Sequence, residues 1–188
     1  MEVVHLEGLA NENMLVERAK TDDNAFAVLY DFYFPKIYGF VFKRVGRREA
    51  AEDIVSAVFM KAFTNLNSFS SQREGSFAAW LYRIASRQII DNYRFDSRRP
   101  TVALEDIGEP GDENQNQQLD FLRQEERELV ERALAGLADK DREVLTLKFY
   151  AELDNAEIAD ILQTNTNNVG VMVYRALQKF KAICQKYE

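Results

Sequence analysis

The sequence is poor in the residues that build disulfides and metal sites. Its 188 residues include one cysteine, Cys184, and one histidine, His5. A single cysteine excludes an intrachain disulfide framework and any multi-cysteine metal site, and His5 has no partner at metal-ligand spacing. We therefore expect neither a metal nor a cofactor. This cysteine usage is typical of a reducing compartment, which predicts a cytoplasmic protein.

Proline, glycine and long apolar runs are also scarce. Three prolines and eight glycines exclude collagen-like and low-complexity chains. No apolar run approaches the ~18 residues that span a bilayer, and the first twenty residues lack the basic start and apolar centre of a signal peptide. We expect no insertion into a membrane. With 46% hydrophobic and 29% charged residues, the composition is that of a globular chain of one domain or two small ones.

Basic residues are outnumbered, but the excess of acid is local. The formal net charge of -7 by itself argues against a nucleic-acid partner. Residues 101–120 hold six acids and no base, whereas residues 1–100 hold 14 basic and 13 acidic side chains, and residues 161–187 contain no acid. Phosphates respond to charge within a Debye length of ~8–10 Å. The stretches on either side of the acidic strip therefore stay candidates for nucleic-acid contact.

Apolar residues recur with helical periodicity along the whole chain, and no stretch alternates as a β-strand would. We therefore predict an all-α protein with two small helical domains joined by a flexible acidic linker. The predicted bounds are 1–97 for the first domain, 98–120 for the linker and 121–188 for the second domain. The linker is rich in Gly, Asn, Gln and acids. We interpret the linker as a solvated tether. The alternative is an acidic strip that occupies a basic channel of a partner.

Local signals predict where several helices begin and end. Pro35 should break or kink a helix, because it lacks an N–H and clashes with the preceding turn, and a further helix is predicted over about 36–44. In the second domain Asp139 is predicted to cap a helix over 140–150. Asp154 and Glu157 have the spacing of a capping box, and Asn165 can cap the last helix.

The last two helices have the helix-turn-helix pattern. A short helix, a tight turn and a longer helix with basic residues and no acid are typical of a DNA-reading pair, although such pairs also occur in proteins that never meet DNA. Asparagine suits a bidentate contact to adenine, and arginine suits guanine or phosphate. The candidate contact residues are Asn165, Asn167, Asn168, Val171, Tyr174, Arg175 and Lys179.

A second candidate surface lies on the helix that follows residue 76. Aromatic and arginine side chains are interleaved there, as on surfaces that bind unstacked bases beside phosphates. The plainer alternative is that Trp80 is a core residue and that the arginines form a solvated face. With Arg73 in the preceding loop, the candidates are Trp80, Arg83, Arg87, Tyr93, Arg94, Arg98 and Arg99.

Four segments together resemble a known family. They are REAAEDIVSAVFMKAF (48–63), GSFAAWLYRIASRQIIDNYR (75–94), LADKDREVLTLKFYAELDNAEIADIL (137–162) and NVGVMVYRALQKFK (168–181). In this order they resemble an extracytoplasmic-function sigma factor, a compact member of the sigma-70 family of bacterial transcription initiation factors. The resemblance runs over nearly the whole chain.

The resemblance implies partners and roles. The helix over 49–66 would dock on the clamp of core RNA polymerase through Asp53, Ser56, Ala57 and Met60, and the second domain would reach the flap. The loop and helix around Trp80 would recognise the -10 element and hold the melted single strand, with Arg73 beside a flipped base. The last helix would enter the -35 duplex, and the linker would approach the RNA exit channel. An anti-sigma factor, often held in the membrane, is a further implied partner.

The sequence also departs from the family pattern. Family members often carry Gln-Glu where Ser56 and Ala57 stand, which removes two polar contacts to the clamp. The turn usually has glycine where Gln163 stands, and the recognition helix usually has polar residues at 170–172. Gly170 there costs about 1 kcal/mol relative to alanine.

The residues also bear on two other classes of function. A diverged sigma-like interaction module would bind polymerase or a regulator without reading promoters. An enzyme is not supported, because the sequence has no phosphate-binding glycine loop, no His-x-x-x-His and no Cys/His pair. We therefore expect no catalytic residue and no small-molecule substrate.

Overall fold

The computed structural model describes residues 11–70, 76–96 and 117–187. This part of the chain contains helices and no β-strand, which confirms the all-α prediction for it. In chain order the helices are α1 (Glu12–Ala19), α2 (Asp23–Val45), α3 (Arg48–Asn65), α4 (Ser76–Asp96), α5 (Gln117–Ala135), α6 (Asp139–Leu145), α7 (Asn155–Leu162) and α8 (Thr166–Cys184).

The helices divide into two compact units. The first comprises Met1–Val41 with Arg48–Arg99, and the second comprises Phe42–Arg47 with Pro100–Glu188. Most of the acidic linker lies outside the described residues, but α5 already begins at Gln117, inside the range predicted for the linker. The predicted domain bounds stay a prediction.

The core of the first unit is built by α2, α3 and α4. Helices α3 and α4 pack against each other, and each buried aliphatic or aromatic side chain contributes about 1.5–3 kcal/mol. The largest fully buried side chains of these three helices are Leu29, Ile37, Phe40, Val41, Val55, Val58, Phe77, Leu81 and Ile89.

Helix α2 passes through Pro35 without ending, so of the predicted break or kink the break is wrong, and the residues 36–44 do not form a separate helix. A proline inside a helix removes one backbone hydrogen bond and costs about 3 kcal/mol. Leu29 and Tyr33 before it, and Ile37 and Phe40 after it, are all buried. Because both halves of the helix contribute to one core, packing favours a continuous helix despite the proline.

Helix α1 is joined to this core by a buried polar contact. The hydroxyl of Tyr33 donates a hydrogen bond to Glu12 Oε1, and both residues are only 4% exposed. Burial, and then the hydrogen bond to Glu12, raise the pKa of Tyr33 well above its usual value. The raised pKa keeps the hydroxyl protonated near neutral pH, so that it donates the hydrogen bond to Glu12.

The second unit packs α5, α6 and α7 against α8. Helix α6 ends at Leu145 and continues as one π-helical turn, Thr146–Tyr150, where the sequence predicted one α-helix over 140–150. The predicted cap at Asp139 is also wrong, because Ala138 occupies the cap position and Asp139 is the first helical residue. There its carboxylate still interacts favourably with the helix dipole.

Candidate nucleic-acid interface

One face of α4 collects most of the described residues that were predicted to meet the melted strand. Trp80, Ile84 and Arg87 follow one another at i, i+4 and i+7, and Arg83 lies beside them, so they share one side of the helix. Arg87 is exposed and Arg83 is half-buried. Tyr93 is half-buried and falls toward the opposite side, so α4 does not bring it to this face.

Four further residues of this predicted set cannot be placed. Arg73, Arg98 and Arg99 lie outside the described residues, and Arg94 belongs to α4 with a side chain that is not described. Their assignment stays a prediction.

Trp80 takes part in an aromatic cluster and also faces outward. Its ring centroid lies 4.8 Å from that of Phe69 and 5.6 Å from that of Phe77, and Phe77 is 1% exposed. Trp80 itself is only partly buried. The packing fixes the orientation of the indole ring and leaves part of it available, so the core and surface interpretations of this residue are compatible.

A cavity of about 360 Å³ opens beside this ring, between the end of α3 and the middle of α4. Lys61 and Asn65 of α3 line it, together with Ile84, Arg87 and Asp91 of α4. Lys61, Asn65 and Asp91 were not among the site residues predicted from the sequence. A local signal existed, because Asp91 continues the Trp80, Ile84, Arg87 row of α4, but the pairing with α3 is a tertiary contact.

The four residues predicted to dock on polymerase form one stripe of α3. Asp53, Ser56, Ala57 and Met60 follow the i, i+3, i+4, i+7 pattern of a single helix face. Asp53 and Ser56 are exposed, Ala57 is partly exposed, and Met60 is 64% exposed. This stripe is thus accessible to a partner. Its two small residues, Ser56 and Ala57, lie between the acidic Asp53 and the large apolar Met60.

Helices α7 and α8 form the predicted helix-turn-helix. The capping box of Asp154 and Glu157 is confirmed, with hydrogen bonds in both directions. The turn passes through Gln163, whose φ of 52° lies in the left-handed region. Asn165 caps α8, as predicted, by accepting a hydrogen bond from the Asn168 N–H at 2.8 Å.

The predicted contact residues in the first half of α8 fall into two groups, those whose side chains form local hydrogen bonds and those that are exposed. The Asn165 side chain is used for the cap, and the Asn168 amide donates to Thr164 Oγ1 at 2.8 Å. Asn167, Val171 and Tyr174 are exposed and follow at i, i+4 and i+7, so that they form one outward stripe.

Two basic residues of α8 differ in their surroundings. Arg175 is exposed beside the outward stripe. The Lys179 ammonium lies 2.6 Å from a carboxylate oxygen of Asp141 in α6. A phosphate would therefore have to compete with Asp141 for Lys179, whereas α8 itself contributes no acid near Arg175.

The described residues hold no group of three or more His, Cys, Asp or Glu side chains that could bind a metal ion. Within the same part of the chain, no helix combines the length and apolar character needed to cross a membrane.

A segment of each unit matches a known family. Residues 29–99 match Sigma-70 region 2, which takes in α3, α4 and their cavity. Residues 127–180 match Sigma-70, region 4, which takes in α7 and most of α8. The two matches together cover more than half of the chain and occur in the order that the sequence analysis expected.

Individual relatives agree with these matches. SigW of Bacillus subtilis (strain 168), an ECF RNA polymerase sigma factor, is 30% identical over 173 residues, covering 86% of this chain and 90% of SigW. BldN of Streptomyces coelicolor, another ECF RNA polymerase sigma factor, is 28% identical over 165 residues, covering 87% of this chain and 62% of BldN. RpoE of Bartonella quintana, solved with the anti-sigma factor NepR, shares the fold with a TM-score of 0.68 at 19% identity, covering 85% of this chain and 96% of RpoE. The chain belongs to the extracytoplasmic-function sigma factors of the sigma-70 family.

Proposed function

We propose that this chain binds core RNA polymerase and directs it to promoters by recognising a -10 and a -35 element and by helping to open the DNA. The observation that carries the proposal is the presence of regions 2 and 4 in one chain, each with an exposed face of the required chemistry. The polymerase does the chemistry, and this subunit supplies sequence specificity without a catalytic residue of its own.

Polymerase docking is assigned to the α3 stripe of Asp53, Ser56, Ala57 and Met60. Its support is the exposure of the stripe on a helix whose other side is buried in the core. With Ser56 and Ala57 in place of longer polar residues, the contact with the clamp depends more on Met60 and its apolar area. The second unit would provide the contact with the flap.

The melted strand is assigned to the face of α4 that carries Trp80, Arg83 and Arg87. A fixed indole ring next to arginines binds unstacked bases, because every base has a π-face and every nucleotide carries a phosphate. Arg73, Arg94, Arg98 and Arg99 extend this surface in the proposal.

The -35 duplex is assigned to the outward stripe of α8. Asn167 can reach an adenine edge, Val171 offers apolar contact to a thymine methyl, and Arg175 can bind a phosphate or guanine. Asn165 and Asn168 hold the start of the helix in place, and Lys179 contributes only where phosphate displaces Asp141. The helix would lie in the major groove, as recognition helices of this motif do.

The proposal places the protein in the bacterial cytoplasm, where polymerase and promoter DNA are found. An anti-sigma factor is a further proposed partner, since family members are commonly held inactive by one. RpoE, which shares the fold, was crystallised with such a factor. If that partner is anchored in the membrane, the sigma factor is held there without inserting into the bilayer.

The melting assignment is tested with the double variant Arg83→Ala/Arg87→Ala in reconstituted holoenzyme. Permanganate reactivity of unpaired thymines at the -10 element should fall about tenfold, as expected for the loss of roughly 1.4 kcal/mol of strand binding. Co-elution with core polymerase should not change. Because Arg83 is half-buried, Arg87→Ala alone is measured as well.

The matched control is Arg18→Ala/Arg132→Ala, which removes the same charge from side chains that are 69% and 57% exposed. It should leave both readouts unchanged. Unaltered permanganate reactivity in both α4 variants would remove Arg83 and Arg87 from the melting role.

A sigma-like interaction module remains the second candidate, and one observation favours it. The first half of α8 carries Gly170, Val171 and Met172 where the family usually has polar residues. Such a module would co-elute with polymerase and produce no defined transcript.

A further inference from the structure

Helix α8 contains a glycine at a position where the fold does not require one. Gly170 is the fifth residue of α8, and its backbone is helical. A Cβ added to it meets no atom of the described residues within 4 Å. Since glycine is less favourable than alanine inside a helix, neither the backbone nor the packing of the second unit explains its presence.

We propose that the missing side chain leaves a gap in the outward stripe of α8 that receives the 5-methyl group of one thymine of the -35 duplex. Thymine is therefore the preferred base at one position of this element. This inference rests on the proposed function and goes further by naming the base and the group that is read.

The gap lies between side chains that project into the solvent. Gly170 follows Asn167 at i+3 and precedes Tyr174 at i+4, so it lies between these two residues on the helix surface. Asn167 is exposed, Tyr174 is 64% exposed, and the adjacent Val171 is 46% exposed. Gly170 is itself exposed. The stripe thus has larger side chains around a position that has none, and this position is open to a partner.

The residues around the gap are uncharged, and two of them are largely apolar. Val171 carries methyl groups and Tyr174 an aromatic ring, whereas Asn167 is polar and neutral. Arg175 lies five residues after Gly170, which places it about 140° away around the helix axis. A phosphate is attracted to Arg175 on that other side. The gap is suited to a small apolar group instead.

Thymine supplies such a group. In the major groove the four bases present hydrogen-bond donors and acceptors, and thymine adds its 5-methyl group. Cytosine has only a hydrogen atom at the corresponding carbon and does not fill the gap. A donor or acceptor of another base would lose its water there without gaining a partner, which is unfavourable. The gap therefore distinguishes thymine from the other three bases.

The position of the gap along α8 agrees with this assignment. In a helix-turn-helix the N-terminal residues of the second helix contact base edges in the major groove, and Gly170 lies within the first two turns of α8. Without a side chain the helix can approach a base edge closely, as glycine allows where a backbone meets a ligand. Residues 161–187 contain no acid that would repel the DNA.

The experiment uses holoenzyme reconstituted from the full chain and core polymerase on double-stranded promoter templates. Each thymine of the -35 element, on either strand, is replaced in turn by deoxyuridine, which lacks only the 5-methyl group. One replacement should lower complex formation about fourfold, the factor that corresponds to the burial of one methyl group. At the same position 5-methylcytosine should bind better than cytosine by a similar factor, because it restores the methyl group alone.

The protein variant is Gly170→Ala, with Gly136→Ala directly after α5 as its matched control. The Cβ of Gly170→Ala fills the gap, so the ratio of thymine to uracil binding should fall from about four to about one. The variant is expected to melt at a higher temperature than the wild type, so loss of folding does not explain this result. A Cβ at Gly136 makes ordinary contact with Ile183 at 3.5 Å, and this control should keep the ratio.

Two results would overturn the inference while transcription itself continued. One is a wild-type protein that binds thymine and uracil equally at every -35 position, and the other is a Gly170→Ala variant with an unchanged ratio. Absence of defined transcripts from every template would instead refute the proposed function, and the thymine contact with it.

Discussion

The side chain of Arg142 joins α6 to the end of α5, and its removal is a quantitative test of how the second unit is held together. Its Nε donates to the Leu134 carbonyl at 2.7 Å, and its Nη2 donates to the carbonyls of Ala135 and Leu137 at 2.7 and 3.0 Å. The last carbonyls of a helix have no partner within that helix. One guanidinium therefore satisfies three acceptors at the C-terminus of α5, where a positive charge is also favoured by the dipole.

The magnitude follows from the number and type of these bonds. A hydrogen bond with a charged donor contributes about 1.5–3 kcal/mol. The guanidinium makes a fourth such bond, from Nη1 to the Arg44 carbonyl at 3.2 Å, and several bonds on one group do not add fully. Arg142→Ala should therefore lower the free energy of unfolding of the second unit by about 3 kcal/mol. Arg142→Lys keeps the charge but replaces the planar fork by a single ammonium, so it should lose roughly half as much.

Hydrogen exchange measured by mass spectrometry is the suitable assay, because the single tryptophan, Trp80, belongs to the first unit and does not report on α5 to α8. A loss of about 3 kcal/mol corresponds to exchange roughly 150-fold faster for the most protected amides of the second unit. Peptides from α3 and α4 serve as internal control. A change of less than fivefold in α5 to α8 would refute the reasoning.

Three further predictions concern single positions. Gly170→Ala should raise the free energy of unfolding by about 1 kcal/mol, because a Cβ there meets no atom within 4 Å and helical alanine is favoured over glycine; a lower melting temperature would contradict this. Gln163→Gly should raise the free energy of unfolding by about 0.5–1 kcal/mol, since relief of left-handed strain exceeds the added entropy of the unfolded chain. A decrease of this free energy, measured by urea titration, would contradict strain at the turn. Tyr33→Phe should cost about 1–3 kcal/mol by removing the buried hydrogen bond from Tyr33 to Glu12, whereas the same change at the exposed Tyr30 should cost little. Equal midpoints for the two variants would rule out a stabilising role of the bond.

Local features were predictable from the sequence because their physics is local. The capping box of Asp154 and Glu157 and the cap at Asn165 require only residues three apart, and both occur as expected. The family resemblance was carried by whole helices in order, which single departures such as Ser56 and Ala57 did not obscure.

Features that depend on tertiary packing were not predictable. Local propensity favours a break at Pro35, but burial on both sides of it sustains one helix. The ion pair of Lys179 with Asp141 joins residues 38 apart, so sequence alone assigned Lys179 to DNA. The cavity residues Lys61 and Asp91 come from two helices whose relative placement no pattern in the chain reveals.

Reconstitution with core RNA polymerase tests the central claim most directly. The purified full chain is mixed with bacterial core polymerase, passed over gel filtration and assayed for run-off transcription from genomic fragments. The account predicts co-elution and a small set of defined transcripts, with none from core polymerase alone. Co-elution without any defined transcript would contradict promoter recognition and favour the interaction module, and absence of co-elution would contradict the assignment of the α3 stripe as the polymerase-binding surface.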